Sequence, residues 1–296
     1  MGSRILIIAN KWWEAAPLVA VFQHAGAGRS RQSAVPESLL NASQWVVGGS
    51  SSLAPRLAVR CGEIGIEIWC IQDLMDVDEN SSLTWEKARV LPRLARRAGE
   101  IKVVIGFGTA ASVDAGINGS VVIGTKVFAH DPYSVPPTPA KHWSDQRLEQ
   151  LVASDAQDLL GHLPCAFVPK ATRGFLSTPN QPAQVPQIRI GNDKVSVGVV
   201  NVINSADYSW TDKQALDKFT KVTGVASAGS VETTHAVIRL VLDLPFIFVS
   251  GIANALGRFE SEVGPNPYSQ NFAAAHNAAI TVAWMIPEIV SELTKG

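Results

Sequence analysis

Short, almost purely apolar runs alternate along the chain with amphipathic stretches, which predicts buried strands joined by helices. The run RILIIAN (residues 4–10) predicts a buried strand, and WEAAPLVAVFQHA (13–25) predicts the helix that follows it. Two more buried strands are predicted at IKVVIGFG (101–108) and GSVVIGTKVFA (119–129). This alternation is typical of an α/β domain in which helices cover both faces of a central mixed sheet.

Two hairpins interrupt the alternation. PRLAVRCG and IGIEIWCIQ are separated by a tight turn at Gly62–Gly65, and QIRIGNDKVSVGVVNVI is expected to reverse around Gly191-Asn192-Asp193. A further short strand is predicted at SQWVVGG. The sheet is therefore expected to contain antiparallel as well as parallel pairs.

One amphipathic helix contains an internal proline. SLTWEKARVLPRLARRAG (82–99) is expected to kink or split at Pro92, and its basic residues between Lys87 and Arg97 are interpreted as a solvated face. Other helices are predicted near residues 145–161, 211–222 and 269–294.

The chain is long enough for one large domain, and we expect residues 1–296 to form a single one, since no linker or repeat divides them. The long loops at 131–143 and 169–186 are of a length typical of functional loops or subunit contacts. Apolar residues make up 46% of the chain and charged residues 17%, which favours a well-buried core over disorder.

The net charge is −1, which argues against binding to nucleic acid or to an anionic membrane surface. Three scattered cysteines without metal spacing fit a reducing compartment. The chain shows no secretory signal pattern and no apolar run of the roughly 20 residues that a membrane helix needs. A cytoplasmic protein is therefore expected.

Candidate chemistry lies just after the strands, because ligands of such sheets bind beyond the carboxyl ends of the strands. Four segments occupy such positions: Asn10 to Glu14, Gly106 to Ser112, Ile203 to Trp210, and Ala253 to Leu256. The small residues of GFGTAAS (106–112) would let a ligand approach backbone N–H groups, although a tight structural turn explains them equally well.

Two carboxylates and one amide are the polar groups of greatest interest. Glu14 falls in the first turn of a predicted helix, where it could bind a ligand or simply compensate the helix dipole. Glu232 begins a predicted apolar helix, and a carboxylate there needs partners or solvent. Asn254 ends the buried strand that follows, where its amide could cap a turn or face a ligand.

Aromatic residues cluster at the same predicted edge and could clamp a planar base, although such residues are more often part of a core. They are Trp12, Trp13, Tyr208 and Trp210. The six histidines show no metal-ligand spacing, and no metal is expected.

The order of these features resembles the nucleoside phosphorylase/nucleosidase superfamily, especially the methylthioadenosine/adenosylhomocysteine nucleosidases. The resemblance runs over nearly the whole chain and is carried by four segments. They are ILIIANKWWEAAPL, VVIGFGTAASVDAGINGSVVIGTKVFAHDP, GSVETTHAVIRLVLDLPFIFVSGIAN and NFAAAHNAAITVAWMI.

The resemblance implies a role for each candidate residue. Glu14 would activate the attacking water, Glu232 would bind the ribose hydroxyls, and Asn254 would face the base, which makes Glu14 and Asn254 the catalytic pair. The resemblance also places Val231, Thr109, Ala110 and Ala111 at the substrate. Tyr208, Trp210 and Trp12 are predicted to bind it because of their position at the same edge.

Some residues depart from the family pattern. Asn254 stands where the nucleosidases carry aspartic acid, and an amide can donate a hydrogen bond but cannot transfer a proton. Val231 replaces the methionine of the family, and NKWWEA replaces the Gly-Asp-Pro-x-Arg phosphate loop of one phosphorylase branch. We therefore expect hydrolysis of the N-glycosidic bond of a purine-type nucleoside.

Two alternatives remain open. A phosphorylase would use phosphate as co-substrate, held by Thr109 and by an arginine such as Arg29, Arg31 or Arg173. A catalytically silent nucleoside-binding protein would explain Asn254. No cofactor is expected in either case.

The expected partner is a small-molecule nucleoside. The resemblance also implies a homo-oligomer (a dimer, trimer or hexamer), because subunits of this family complete each other's sites. His130 or Tyr133, at the proline-rich loop, would then reach a neighbouring site.

Overall fold

In the computed structural model, the described residues are 2–24, 46–47, 54–75, 84–97, 99–114, 116–130, 148, 150–152, 154–160, 185–200, 229–263 and 267–295. The helix predicted at 211–222 and the long loops at 131–143 and 169–184 lie outside them. These expectations therefore stay predictions, as does the extension of one domain over residues 1–296.

The described strands form one mixed sheet. They are β1 (Arg4–Ala9), β2 (Val46–Val47), β3 (Leu57–Cys61), β4 (Ile64–Cys70), β5 (Ile101–Ser112), β6 (Val121–Gly124), β7 (Lys126–His130), β8 (Ile188–Ile190), β9 (Val195–Val199), β10 (Ser230–Glu232) and β11 (Phe246–Ala255). Their order is β2-β3-β4-β1-β5-β10-β9-β7, with β11 paired to β5 and β6, and β8 paired to β6.

Helices cover both faces of this sheet. They are α1 (Trp12–His24), α2 (Ile71–Leu74), α3 (Thr84–Val90), α4 (Pro92–Ala95), α5 (Ser154–Leu159), α6 (His235–Leu242), α7 (Phe259–Glu262) and α8 (Pro267–Thr294). Because side chains alternate along β1, Ile5 and Ile7 pack in the core that contains α1 and α8 residues. Leu6 and Ile8 pack in the opposite core with residues of α3, α4 and α6. The predicted α/β fold with a mixed sheet is confirmed.

Parallel pairing at the centre of the sheet positions the candidate residues. Strand β5 lies parallel to β1 and to β11, so the carboxyl ends of all three strands meet at one edge. Strand β10 joins β5 in antiparallel fashion through Val231 and Ala111. Segments far apart in the sequence are thereby brought to the same edge.

Several predicted elements are confirmed. The hairpin around Gly62–Gly65 forms between β3 and β4, and the helix predicted at 82–99 is split at Pro92 into α3 and α4. None of the helices in the described part of the chain is long and apolar enough to cross a membrane.

The hairpin predicted around Gly191 is wrong. Strand β8 pairs with β6 and strand β9 pairs with β7 and β10, all in parallel. The turn, in which Lys194 N donates to the Gly191 carbonyl at 3.1 Å, shifts the chain to a new partner strand. For the same reason the run predicted as one strand at 119–129 is divided into β6 and β7, which pair with different neighbours.

Two boundaries also differ from prediction. The small-residue segment 106–112 is part of strand β5 and not a loop, because β11 continues to pair beside it as far as Ser112. Glu232 ends strand β10, and the helix begins at His235.

Candidate active site

A cavity of about 140 Å³ lies where the carboxyl ends of β1, β5 and β11 meet. Seven of the residues predicted for the site line it: Glu14, Thr109, Ala110, Ala111, Val231, Glu232 and Asn254. Trp12 is not among the lining residues, whereas Trp13 is. Tyr208 and Trp210 lie outside the described residues, so their predicted contacts stay predictions.

Glu14 links the first helix to the central strand. Its Oε2 accepts hydrogen bonds from the N–H groups of Asn10 (3.1 Å) and Lys11 (2.9 Å). Its Oε1 accepts from the N–H (2.8 Å) and the hydroxyl (3.0 Å) of Thr109. Because the side chain is only 5% exposed, these four donors replace most of the water that the carboxylate would otherwise bind. Glu14 therefore does more than compensate a helix dipole.

The glycine at position 108 makes room for this carboxylate. A Cβ atom placed there would lie 2.9 Å from Oε1 of Glu14, which is closer than such atoms normally approach. At Gly106, an added Cβ would lie 2.9 Å from the His235 ring. The small residues of GFGTAAS are thus explained by side chains that pack against strand β5.

Glu232 caps helix α6 and faces the cavity. Its Oε2 accepts hydrogen bonds from the N–H groups of Thr234 and His235, the latter at 2.8 Å. The Ser196 hydroxyl donates to Oε1 at 3.4 Å. An accepting side chain at this position satisfies N–H groups that a helix leaves unpaired. The carboxylate is therefore held in one orientation, and Oε1, with its single weak bond, is the oxygen better able to accept a further hydrogen bond.

His235 is fully packed behind Glu232. Burial lowers the pKa of its imidazole, although the charge of Glu232 acts in the opposite direction. Its Nδ1 lies 3.1 Å from the Ser196 hydroxyl and 3.6 Å from Oε1 of Glu232. The ring packs near Phe246 and Phe248. A neutral His235 at neutral pH, joined to Ser196, fits this apolar surrounding.

Lys87 is a buried lysine behind the same turn, and the interpretation of its helix face as solvated is wrong for this residue. It is fully buried. Its Nζ donates to the Thr233 carbonyl (2.8 Å), to the Thr233 hydroxyl (3.3 Å) and to the Thr234 hydroxyl (3.0 Å). Burial lowers its pKa to about 7, against the opposing influence of the charges of Glu232 and Glu14. Lys87 thus fastens α3 to the turn that orients Glu232.

A sequence signal for Lys87 does exist. Val90, Leu91 and Leu94 are buried, and they follow Lys87 by three, four and seven residues. This spacing places Lys87 on the apolar face of the helix, where a buried cation needs acceptors from elsewhere in the fold. The basic composition of the segment obscured that position.

Asn254 lies on β11 beside an irregularity in its pairing with β5, and it is 4% exposed. Its amide Nδ2 donates to the carbonyl of Ala255 at 2.8 Å. One amide hydrogen therefore serves the local backbone, and the cavity-lining side chain retains another donor. Both readings of this residue, local capping and ligand contact, are compatible with the same geometry.

Aromatic residues border the cavity beside α1. Trp13 lines it, and Trp12 is 39% exposed and packs edge-on against Trp13 and Phe272. Phe259 and Asn271, which sequence reasoning did not single out, line it as well. Their segments carry no strand-end signal, because they follow β11 by several residues or lie on α8.

Within the described part of the chain, no group of three or more His, Cys, Asp or Glu residues could hold a metal ion. His130 lies at the end of β7, but Tyr133 and the loop that follows are outside the described residues. The predicted subunit contact there stays a prediction.

The chain shares its fold with nucleosidases of known structure, as comparison with those structures shows. The apo 5′-methylthioadenosine nucleosidase of Arabidopsis thaliana matches with a TM-score of 0.54 at 16% identity, over 98% of this chain and 96% of its own. The 5′-methylthioadenosine/S-adenosylhomocysteine nucleosidase of Campylobacter jejuni matches with a TM-score of 0.52 at 12% identity, over 97% of this chain and 100% of its own.

A third match is the 5′-methylthioadenosine/S-adenosylhomocysteine nucleosidase of Helicobacter pylori, solved with butyl-thio-DADMe-Immucillin-A. Its TM-score is 0.52 at 11% identity, over 97% of this chain and 99% of its own. No protein-family model and no curated protein sequence matches the chain. The structural matches establish the fold, and identities this low establish nothing beyond it. The predicted resemblance is confirmed at the level of the fold.

Proposed function

We propose that the protein hydrolyses the N-glycosidic bond of a purine-type nucleoside. The observation that carries this proposal is the placement of Glu14. Its carboxylate lines the cavity and accepts hydrogen bonds from the N–H groups of Asn10, Lys11 and Thr109. Converging backbone N–H groups at strand ends are natural anion-binding donors. Because Glu14 already uses them, an inorganic phosphate has fewer donors here, which favours water as the nucleophile.

In this proposal the two carboxylates have separate tasks. Glu14 positions the attacking water and accepts its proton, and Glu232 binds the ribose hydroxyls and favours the positive charge that develops on the sugar. Both carboxylates line the same cavity, and the charges of both act on the pKa of Lys87 and of His235. Asn254 would donate to the leaving base.

Thr109 gives the water access to Glu14. Among the four hydrogen bonds on Glu14, three come from backbone N–H groups and one from the Thr109 hydroxyl. A hydroxyl can rotate, whereas the backbone donors are fixed by β5 and by the turn before α1. The attacking water would therefore either displace the Thr109 hydroxyl from Glu14 or donate a hydrogen bond to that hydroxyl.

Replacing Glu14 with glutamine is expected to lower hydrolysis by roughly 10²- to 10⁴-fold, the usual contribution of a general base, while nucleoside binding changes little. The measurement is release of free base and of free sugar under single-turnover conditions, with and without phosphate. Glu63→Gln, at a side chain that is 96% exposed, is the control and should leave the rate unchanged. Ribose 1-phosphate as the sole sugar product would show that the enzyme is a phosphorylase.

The catalytically silent alternative is favoured by Asn254, since an amide cannot transfer a proton. Asn254→Asp would place a carboxyl oxygen near the Ala255 carbonyl that now accepts from Nδ2 at 2.8 Å, which favours the protonated acid. We expect this variant to shift preference from 6-oxopurine toward 6-aminopurine nucleosides, because the 6-amino ring needs a proton donor at its N7. The check is kcat/KM for both classes. Binding without turnover in both proteins, across a broad nucleoside panel, would instead support the silent alternative.

A further inference from the structure

The cavity is lined by a lysine, Lys11, that forms no ion pair with an acidic side chain in the described part of the chain. Lys11 lines the cavity beside Glu14, and its backbone N–H bonds to that carboxylate. Among the described residues, no carboxylate oxygen lies within 4.0 Å of its ammonium group, and Nζ lies over the Trp13 ring, 5.4 Å from the ring centroid. Glu14 accepts four hydrogen bonds, one of them from the backbone N–H of Lys11 and none from its ammonium group.

The surroundings of Lys11 make its charge available to a ligand. The side chain is partly buried, and this burial lowers the pKa of its ammonium group, although the charge of Glu14 opposes the shift. A partly desolvated cation gains more from an anionic partner than from an aromatic face. Asn10, the neighbouring lining residue, is 7% exposed and its Oδ1 has no hydrogen-bond partner among the described residues. This oxygen accepts hydrogen bonds and therefore suits a hydroxyl of the ligand, whereas the Lys11 ammonium group suits an anionic group.

We propose that Lys11 forms a subsite for an anionic group, a phosphate or a carboxylate, carried by the nucleoside. This inference rests on the proposed function. The ribose hydroxyls are assigned to Glu232, the base to Asn254 and the attacking water to Glu14. The 5′ end is then the position on the sugar that has no assigned partner, so the anionic group is placed there. A lysine binds such a group as a point charge, and a phosphate or carboxylate would satisfy it equally.

Free phosphate carries the same chemistry and must be distinguished from a 5′ substituent. The test compares a purine nucleoside, its 5′-monophosphate and its 5′-carboxylate, each with and without inorganic phosphate. The proteins are the wild type, Lys11→Gln, Lys11→Arg and the control Lys102→Gln. Lys102 lies near the amino end of β5, at the opposite edge of the sheet, and pairs with Glu100.

For the wild type and for Lys102→Gln we expect kcat/KM to be roughly tenfold or more higher for a 5′-anionic substrate than for the neutral nucleoside, the range of charge-assisted hydrogen bonds. Lys11→Gln should lose this preference, measured within each protein as the ratio of kcat/KM for the 5′-anionic substrate to kcat/KM for the neutral nucleoside, and Lys11→Arg should retain much of it. Retention by Lys11→Arg shows that the charge, and not the fold, is responsible.

Three results would overturn the inference or its basis, and they are distinguishable. A wild type that prefers the neutral nucleoside, with no change in Lys11→Gln, overturns the anionic subsite and leaves the proposed hydrolysis intact. Turnover that requires inorganic phosphate in the wild type, with a KM for phosphate that rises in Lys11→Gln, assigns the lysine to free phosphate and refutes both the 5′ substituent and hydrolysis. A wild type that neither binds nor cleaves any of the three substrates refutes the proposed function itself.

Discussion

Replacing Glu232 with glutamine is expected to weaken nucleoside binding about ten- to a hundredfold and to leave free-base binding unchanged. A hydrogen bond to a charged group contributes roughly 1.5–3 kcal/mol, and the ribose hydroxyls lose such a partner in the variant. Free base has no ribose and so makes no use of Glu232. The check is titration calorimetry with matched nucleoside and base, together with the unfolding midpoint of each protein.

Glutamine is the suitable replacement because the structure gives Glu232 a second task. Its Oε2 accepts hydrogen bonds from the N–H groups of Thr234 and His235 at the start of α6, and the amide oxygen of glutamine can accept the same two bonds. The control is Glu86→Gln, at a carboxylate that is also buried but pairs with Arg89 at 2.7 Å and does not line the cavity. A loss of several kcal/mol of stability with unchanged nucleoside affinity would make Glu232 a structural helix cap only.

Much of the fold follows from the hydrophobic pattern. The run ILIIA forms a strand with both faces buried, as its continuous apolar character predicts, because helices pack against each side. Pro92 divides a helix where its ring and missing N–H require a break. In these cases the local sequence and the tertiary structure favour the same outcome.

Strand pairing was less predictable, because it depends on partners that are distant in the sequence. The turn at Gly191 looks like a hairpin turn, but the strands on its two sides do not pair with each other. Strand β8 pairs in parallel with β6, and β9 pairs in parallel with β7. The small, glycine-rich residues of segment 106–112 favour a loop. It is a strand because β11 extends beside it.

The candidate site was predictable where it follows strands, and less so where it depends on packing. Glu14, Thr109 and Asn254 line the cavity because the parallel strands β1, β5 and β11 bring their carboxyl ends together. Glu232 joins them through the antiparallel pairing of β10 with the end of β5. Their catalytic and binding roles stay predictions. The apolar spacing around Lys87 predicts its burial, but its acceptors could not be predicted because Thr233 and Thr234 lie 146 and 147 residues away in the sequence.

The stability of the protein is expected to rise with pH above about 7 because of Lys87. Its pKa in the folded protein is lowered by burial to about 7, whereas an unfolded lysine titrates near 10.4. Between these values the unfolded chain binds more protons than the folded chain, so raising the pH favours folding. This increase in the free energy of unfolding is complete above the pKa that Lys87 has in the unfolded chain. It is lost as the pH falls to the pKa that Lys87 has in the folded protein.

The variant Lys87→Met isolates this effect, because it removes the titrating group and leaves the other charges near it, those of Glu232, Glu14 and Lys11. We expect the free energy of unfolding of the wild type, measured in urea at pH 7, 8 and 9, to increase relative to the variant by up to about 1.4 kcal/mol per pH unit. Lys102→Met, at a partly exposed lysine that pairs with Glu100, should follow the wild type. A wild-type-to-variant difference that is the same at all three pH values would mean that Lys87 stays charged in the folded protein. The hydrogen bonds from Nζ to Thr233 and Thr234 would then be strong enough to offset the burial of its charge.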